Sequence, residues 1–214
     1  MQPVEAISLE FLITATLVVL APGTGVIYTV STGVFRGGVA SIAAATGCTF
    51  GIVPHLAASI LGLAAILHAS AVAFQTVKWL GIAYLLYLAW GMLRSGGAME
   101  LDGSAGRSQG LVRIAVRGAL INILNPKLSI FFLAFLPQFL PSAVATDTAL
   151  SLPYTLMLGG IFMALTWVVF IGYGLAANAV RHHVVRSETV AKWLSRGFAA
   201  AFAGFAARLA IAER

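Results

Sequence analysis

Charge is what this sequence has least of. Of its 214 residues, 9% are Asp, Glu, Lys or Arg and 60% are hydrophobic, whereas a water-soluble domain carries about 25% charged residues. So few charges cannot cover a water-exposed surface of this size, which excludes an ordinary soluble fold. Phe11 to Phe35, Gly37 to Val77 and Thr148 to Val180 hold no charged residue at all. A helix crosses a bilayer with roughly 20 apolar residues. The first run therefore holds one span, the second a long helix plus part of another, and the third one span with its ends. Cysteine is nearly missing too. Cys48 is the single one, which excludes an intrachain disulfide and a CxxC metal site; it reads as a small buried residue. No metal or cofactor is expected. The stretch Met1-Gln2-Pro3-Val4-Glu5 has neither the positive start nor the small-residue cleavage site of a signal peptide, so the first helix is expected to stay in the mature protein. The spans also lack the nucleophile–base or metal groupings of an intramembrane enzyme, which predicts a protein that is not an enzyme.

What is present predicts an all-α membrane protein, one transmembrane domain over residues 1–214. We expect six helices at about 8–33, 39–67, 70–93, 113–137, 151–179 and 190–211. The net charge of +6 does not point to nucleic acid, because the basic residues sit between hydrophobic runs rather than in one solvated stripe. Arg36, Arg94, Arg107, Arg113, Arg117, Arg181, Arg186, Lys192 and Arg196 fall on one side of such a bundle; Lys78, Arg208 and Arg214 fall on the other. The richer side is the cytoplasmic one, so both termini are expected outside the inner membrane. The Gly/Ser-rich segment Ser95 to Gly110 is then the longest cytoplasmic loop. It divides the chain into halves, 1–105 and 106–214, of three helices each and opposite orientation. Leu17-Val18-Val19-Leu20-Ala21-Pro22 faintly resembles Ile121-Asn122-Ile123-Leu124-Asn125-Pro126. This predicts a 3+3 inverted repeat with broken helices 1 and 4, the sequence pointer to a transporter site near the midplane.

Pro22-Gly23-Thr24-Gly25 marks the first break. Proline removes a backbone hydrogen bond, the glycines loosen the stretch, and the two exposed dipole ends suit a carboxylate and a cation. Asn125-Pro126-Lys127 marks the second. Gly118 to Leu136 is about one span long, and Lys127 lies in its middle. A lysine at that depth costs several kcal/mol, yet the spans hold no acid except Glu10 near an end. Lys127 therefore needs carbonyls from the break at Pro22, a substrate carboxylate, or a route past Pro126 to an interface. Asn122, one turn before Pro126, is placed to face the same cavity. His55 follows Gly51 and Pro54; it reads equally as a proton carrier, a substrate contact or a hydrogen-bonded packing residue. Gly47 with Gly51, Gly197 with Ala201, and Ala200 with Gly204 allow close helix approach, inside the fold or in a homo-oligomer. Phe198, Phe202 and Phe205 stripe the last helix, facing lipid or a neighbouring helix.

These residues resemble the lysine exporter and homoserine/threonine resistance superfamily of translocators (LysE/RhtB type). The likeness runs over about residues 8–140. It is carried by the Pro-Gly break, Gly33, Gly37, Gly38, Gly47, Gly51 and His55, Gly62-Leu63-Ala64-Ala65, Lys78, Gly81, Tyr84-Leu85, Asn125-Pro126-Lys127 and Phe135-Leu136-Pro137-Gln138-Phe139. It implies a cytoplasmic-membrane exporter of amino acids or their derivatives, driven by proton motive force. Two positions depart from the family pattern. Its Pro-Gly-Pro is here Pro22-Gly23-Thr24, and Ile52 stands where many members carry an acid. With no buried carboxylate to meet a cationic side chain, neutral, zwitterionic substrates are expected. A passive channel, or another small-solute efflux protein of the same fold, is the alternative.

Overall fold

The computed structural model describes residues 7–61, 71–94, 110–141 and 148–211. Helix α1 (Leu9–Leu20) starts at Ser8, whose hydroxyl oxygen accepts the Phe11 amide at 3.1 Å. It stops at Pro22, which has no amide to give and whose ring collides with the preceding turn. The chain resumes as α2 (Thr24–Arg36), bent 52° from α1. Gly37 ends α2 and begins α3 (Gly38–Phe50) with no loop between, at a φ of 92° that side chains rarely tolerate. A tight turn at Gly51 and Ile52 leads into α4 (Val53–Ile60), with Pro54 in its first turn where a missing amide costs nothing. Helix α5 covers Ala71–Arg94.

The second half repeats the interruption. Helix α6 (Leu111–Ile123) is followed by α7 (Pro126–Ile130), which widens to a π-turn over Phe131–Phe135 and tightens to a 3-10 turn over Leu136–Phe139. The two arms are bent by 60°. Helix α8 (Thr148–Arg186) runs unbroken for 39 residues, and α9 (Glu188–Ala210) for 23. No strand occurs among the described residues.

Two helices, Gly38–Ile60 and Leu150–His182, are long and apolar enough to cross a membrane, and each bent pair adds one more, making up to four. The helices lie where the sequence predicts them, with differences at the ends. The fifth extends several residues beyond 151–179 at both ends. The second turns at Gly51 instead of running straight, and its expected continuation to residue 67, with the Gly62-Leu63-Ala64-Ala65 motif, lies outside the described residues. So do Met1 to Glu5, Arg107, Arg214 and most of the Ser95 to Gly110 loop.

Packing is set by missing side chains. Helix α3 crosses α6 where a Cβ on Gly47 would run into the backbone of Ala115, and one on Gly51 would come within 2.5 Å of the Ala119 carbonyl. From the other side, a Cβ on Gly118 would lie 2.7 Å from the Ala44 carbonyl. The Gly47–Gly51 spacing is thus an internal seam. Gly197 and Gly204 meet nothing within 4 Å. Phe202 is fully buried on α9, which packs against α5, and Phe198 meets Phe35 edge-on at 6.2 Å. Helices α2 and α3 both pack on α8, and Phe131, Phe132 and Phe162 close the centre, the first and last stacked at 4.3 Å.

Candidate functional site

The two interruptions face each other. Pro22 has no N–H, so the Val18 carbonyl one turn back loses its helical partner. The ammonium of Lys127, from the other half of the chain, takes it: Nζ donates to Val18 O and to Ala21 O, each at 2.9 Å. Between these, the Leu20 carbonyl accepts from the Tyr173 hydroxyl at 3.1 Å. Three carbonyls at the end of α1 are therefore satisfied by side chains from α7 and α8. A half-buried ammonium in an apolar bundle is stabilised by such charge-assisted bonds at about 1.5–3 kcal/mol each. Of the three routes open to Lys127, the structure takes the carbonyls of the first break. An ammonium has three N–H groups; the third has no partner among the described residues.

The second interruption is held in the mirror sense. Pro126 cannot bond Asn122 O, and His55 Nε2 lies 2.9 Å from that oxygen, which also accepts the Asn125 amide at 3.1 Å. A carbonyl only accepts, so Nε2 carries the proton, and for a neutral ring the Ser129 hydroxyl donates to Nδ1 at 3.4 Å. His55 is buried and stacks on Phe132 at 6.4 Å. Asn122 itself is buried and donates to Cys48 O at 2.8 Å, tying α6 to α3. Asn125 caps α7 by accepting the Lys127 amide at 3.1 Å, which fixes the lysine's backbone at the start of the helix, and donates to Asn122 Oδ1 at 3.4 Å.

Of the first motif, only Pro22 and Gly23 lie in the interruption; Thr24 and Gly25 already belong to α2. Gly23 makes room for the lysine, since a Cβ there would lie 3.1 Å from Nζ. Gly25 makes room for Asn122, whose Oδ1 would sit 2.5 Å from an added Cβ. The sequence reading had Gly25 loosening the helix; it serves close approach instead. Thr24 is buried at the start of α2, and its Oγ1 has no hydrogen-bond partner among the described residues. A small cavity lies at this point, lined by Gly23, Gly25, Asn122, Asn125, Lys127 and Thr166 with apolar Val26, Phe162 and Phe170. It has room for about one water molecule, so the bundle is closed here.

Of the expected site residues, Gly23, Thr24, Gly25, His55, Asn122, Asn125 and Lys127 are buried or half-buried around these two interruptions, Pro22 is exposed at the bend, and Pro126 is known here only by its backbone. Tyr173 and Ser129 were missed. Tyr173 had a signal, a tyrosine inside a charge-free run whose hydroxyl needs a partner; Ser129 had none.

Apolar helices broken at prolines, with an ammonium bridging the breaks, define a membrane transport protein. The family described as LysE type translocator matches residues 16–213. The chain belongs to that family; it is a multi-pass membrane translocator and not an enzyme. The homoserine/homoserine lactone efflux protein of Salmonella typhimurium is 33% identical over 206 residues, 95% of each chain. The leucine efflux protein of Enterobacter sp. (strain 638) is 29% identical over 201 residues, 94% of this chain and 93% of that one. An uncharacterized membrane protein of Vibrio cholerae is 32% identical over 208 residues, 96% of this chain and 97% of the other. No solved structure matches the chain.

Proposed function

We propose that this chain exports amino acids or amino-acid derivatives, neutral overall and zwitterionic, across the cytoplasmic membrane as a secondary transporter driven by proton motive force. The observation that carries the reading is Lys127, an ammonium in an apolar bundle, resting on carbonyls of a helix interrupted in the other half. Backbone carbonyls hold it without neutralising it. A substrate carboxylate that reached its remaining N–H would do both, helped by the amide end of α2 and the unpartnered Thr24 hydroxyl. The relatives named for homoserine, its lactone and leucine support small amino-acid-like cargo. The cavity at the breaks, with room for about one water, supports a carrier over a passive channel, which needs a continuous polar path.

The chain is read as one transmembrane domain of six spans, α5 and α9 being the third and sixth, with inverted halves 1–105 and 106–214 and both termini outside. The packing supports this. Counted by span, the first lies on the fifth through α2 and α8, the second on the fourth through α3 and α6, and the third on the sixth through α5 and α9; an inverted two-fold relation asks for these span pairings, although α2 follows its break whereas α6 precedes its own. His55 from the second helix of one half meets the break in the other half; Tyr173, from the second helix of the other, meets the first break.

The test is efflux of labelled amino acids from cells overproducing the protein, with and without an uncoupler. Faster, saturable, uncoupler-sensitive efflux of neutral amino acids is expected. Movement of cationic amino acids alone, or flux indifferent to the uncoupler and to saturation, overturns the reading.

A further inference from the structure

We propose that the carbonyl end of α1 is a receptor for a primary ammonium group, that Lys127 occupies it in this closed conformation as a tethered stand-in, and that the substrate's own α-ammonium replaces Lys127 there during transport. This rests on the function proposed above and names the part of the substrate it recognises.

An ammonium is already bound at this place. Nζ of Lys127 lies 2.9 Å from both Val18 O and Ala21 O. These acceptors exist because of the break: Pro22 has no amide for Val18, and the Gly25 amide is not bonded to Ala21 O. They lie at the carbonyl end of a 12-residue helix, where the helix dipole favours a cation. Tyr173 holds the intervening Leu20 carbonyl at 3.1 Å, so the turn is fixed in shape from the side. The absent side chain of Gly23 leaves space for the carbon chain behind the nitrogen, since a Cβ there would lie 3.4 Å from Lys127 Cε.

The ε-ammonium of lysine and the α-ammonium of an amino acid are the same chemical group on a saturated carbon, so a cradle built for one suits the other. Both cannot be there together. The adjoining cavity has room for about one water molecule, and the substrate enters only as Lys127 withdraws. After the exchange the α-ammonium rests on Val18 O and Ala21 O, and the carboxylate meets the displaced Lys127. The zwitterion brings no net charge, so neither cation is left bare and no buried acid is required. The obligatory feature of a ligand is then its N–H groups; the carboxylate adds affinity but is dispensable, as in an ester or a lactone.

The experiment is calorimetric binding to the purified full chain, wild type and Lys127→Met, with leucine, leucine methyl ester and N-acetylleucine, then with homoserine lactone and its N-acetyl form. Wild type should bind leucine, bind the ester more weakly and ignore the N-acetyl compounds. In Lys127→Met the internal competitor is gone: the ester and the lactone should bind about tenfold or more tighter than to wild type, while leucine loses that advantage over the ester. Unchanged or weaker ester and lactone binding in Lys127→Met, or N-acetyl compounds binding as well as the free amines, overturns the inference while leaving the transport reading intact. Failure of wild type to bind or export any free amino acid or lactone sinks both. A wild-type series settles the matter should Lys127→Met not fold. N-methyl-, N,N-dimethyl- and N,N,N-trimethylleucine keep two, one and no N–H groups, and affinity should fall once fewer than two remain. Equal binding of the trimethyl compound rules the cradle out.

Discussion

Replacing Lys127 with alanine should stop export while leaving the chain folded in the membrane. The substitution removes two charge-assisted hydrogen bonds, to Val18 O and Ala21 O at 2.9 Å, together about 3–6 kcal/mol in favour of the native packing. It also removes an ammonium whose placement at mid-span costs about 2.5–3.5 kcal/mol on insertion scales. The two roughly offset, leaving a destabilisation of about 0–3 kcal/mol, and the cavity beside the freed carbonyls has room for about one water. In transport the emptied cradle favours the substrate's α-ammonium, but the carboxylate of a zwitterion is left without Lys127. Loss of the carboxylate's charged partner, at about 1.5–3 kcal/mol, lowers apparent affinity about 10- to 150-fold. The assay is paired: export of a labelled neutral amino acid at sub-saturating concentration, and membrane yield with thermal unfolding in detergent. Efflux of Lys127→Ala at wild-type rates would refute the assignment of the site. Loss of folded protein with no surviving fraction to assay would refute the cancellation argued here.

Pro22→Ala gives Val18 O an amide to accept and lets α1 run on; turnover should fall more than folded yield, and a variant that merely fails to accumulate would make the bend a packing feature. Gly47→Val drives two extra methyls and a Cβ into the Ala115 backbone; folded yield and unfolding temperature should drop together, by at least the about 1–3 kcal/mol typical of overpacking, and an unchanged melting profile would contradict the seam. Cys48 is fully buried in that seam, so a maleimide should label it only after unfolding in SDS; rapid labelling in native membranes would mean that α3 and α6 part readily.

Much of this was readable beforehand because a bilayer narrows the choices. Charge-free runs fix the helices, since a backbone in hydrocarbon must satisfy itself. Pro22 and Pro126 mark the interruptions, since each removes one backbone hydrogen bond and has glycine or asparagine beside it; Pro153, six residues into α8, leaves that helix continuous. Lys127 was legible as an anomaly, a cation with no acid in reach; that the carbonyls of the first break hold it, rather than a route to an interface, is seen only in the fold. The pairings between halves were harder. Nothing in the neighbourhood of His55 says that its ring reaches the carbonyl freed by Pro126, 67 positions on from it; that depends on how α3 and α6 cross, which Gly47, Gly51 and Gly118 set jointly. Gly25 was misread in its purpose for the same reason, because close approach to Asn122 involves a partner that local sequence does not contain. Tyr173 carries a polar hydroxyl inside a charge-free run, and that hydroxyl bonds the first break.

Helix α8 is the longest helix among the described residues. Its 39 residues come to about 58 Å, nearly twice the roughly 30 Å of hydrocarbon. Leaning even 40° would accommodate only about 39 Å of it. The rest projects among headgroups, and Arg181 and His182 near its far end are exposed. A rod of that length would meet a change of membrane thickness by leaning. A 10° change of lean swings an end by about 5 Å relative to its middle, and the stretch bearing Phe170 and Tyr173 presses directly on the broken first span. Acyl chain length in the surrounding lipid would then bear on that contact.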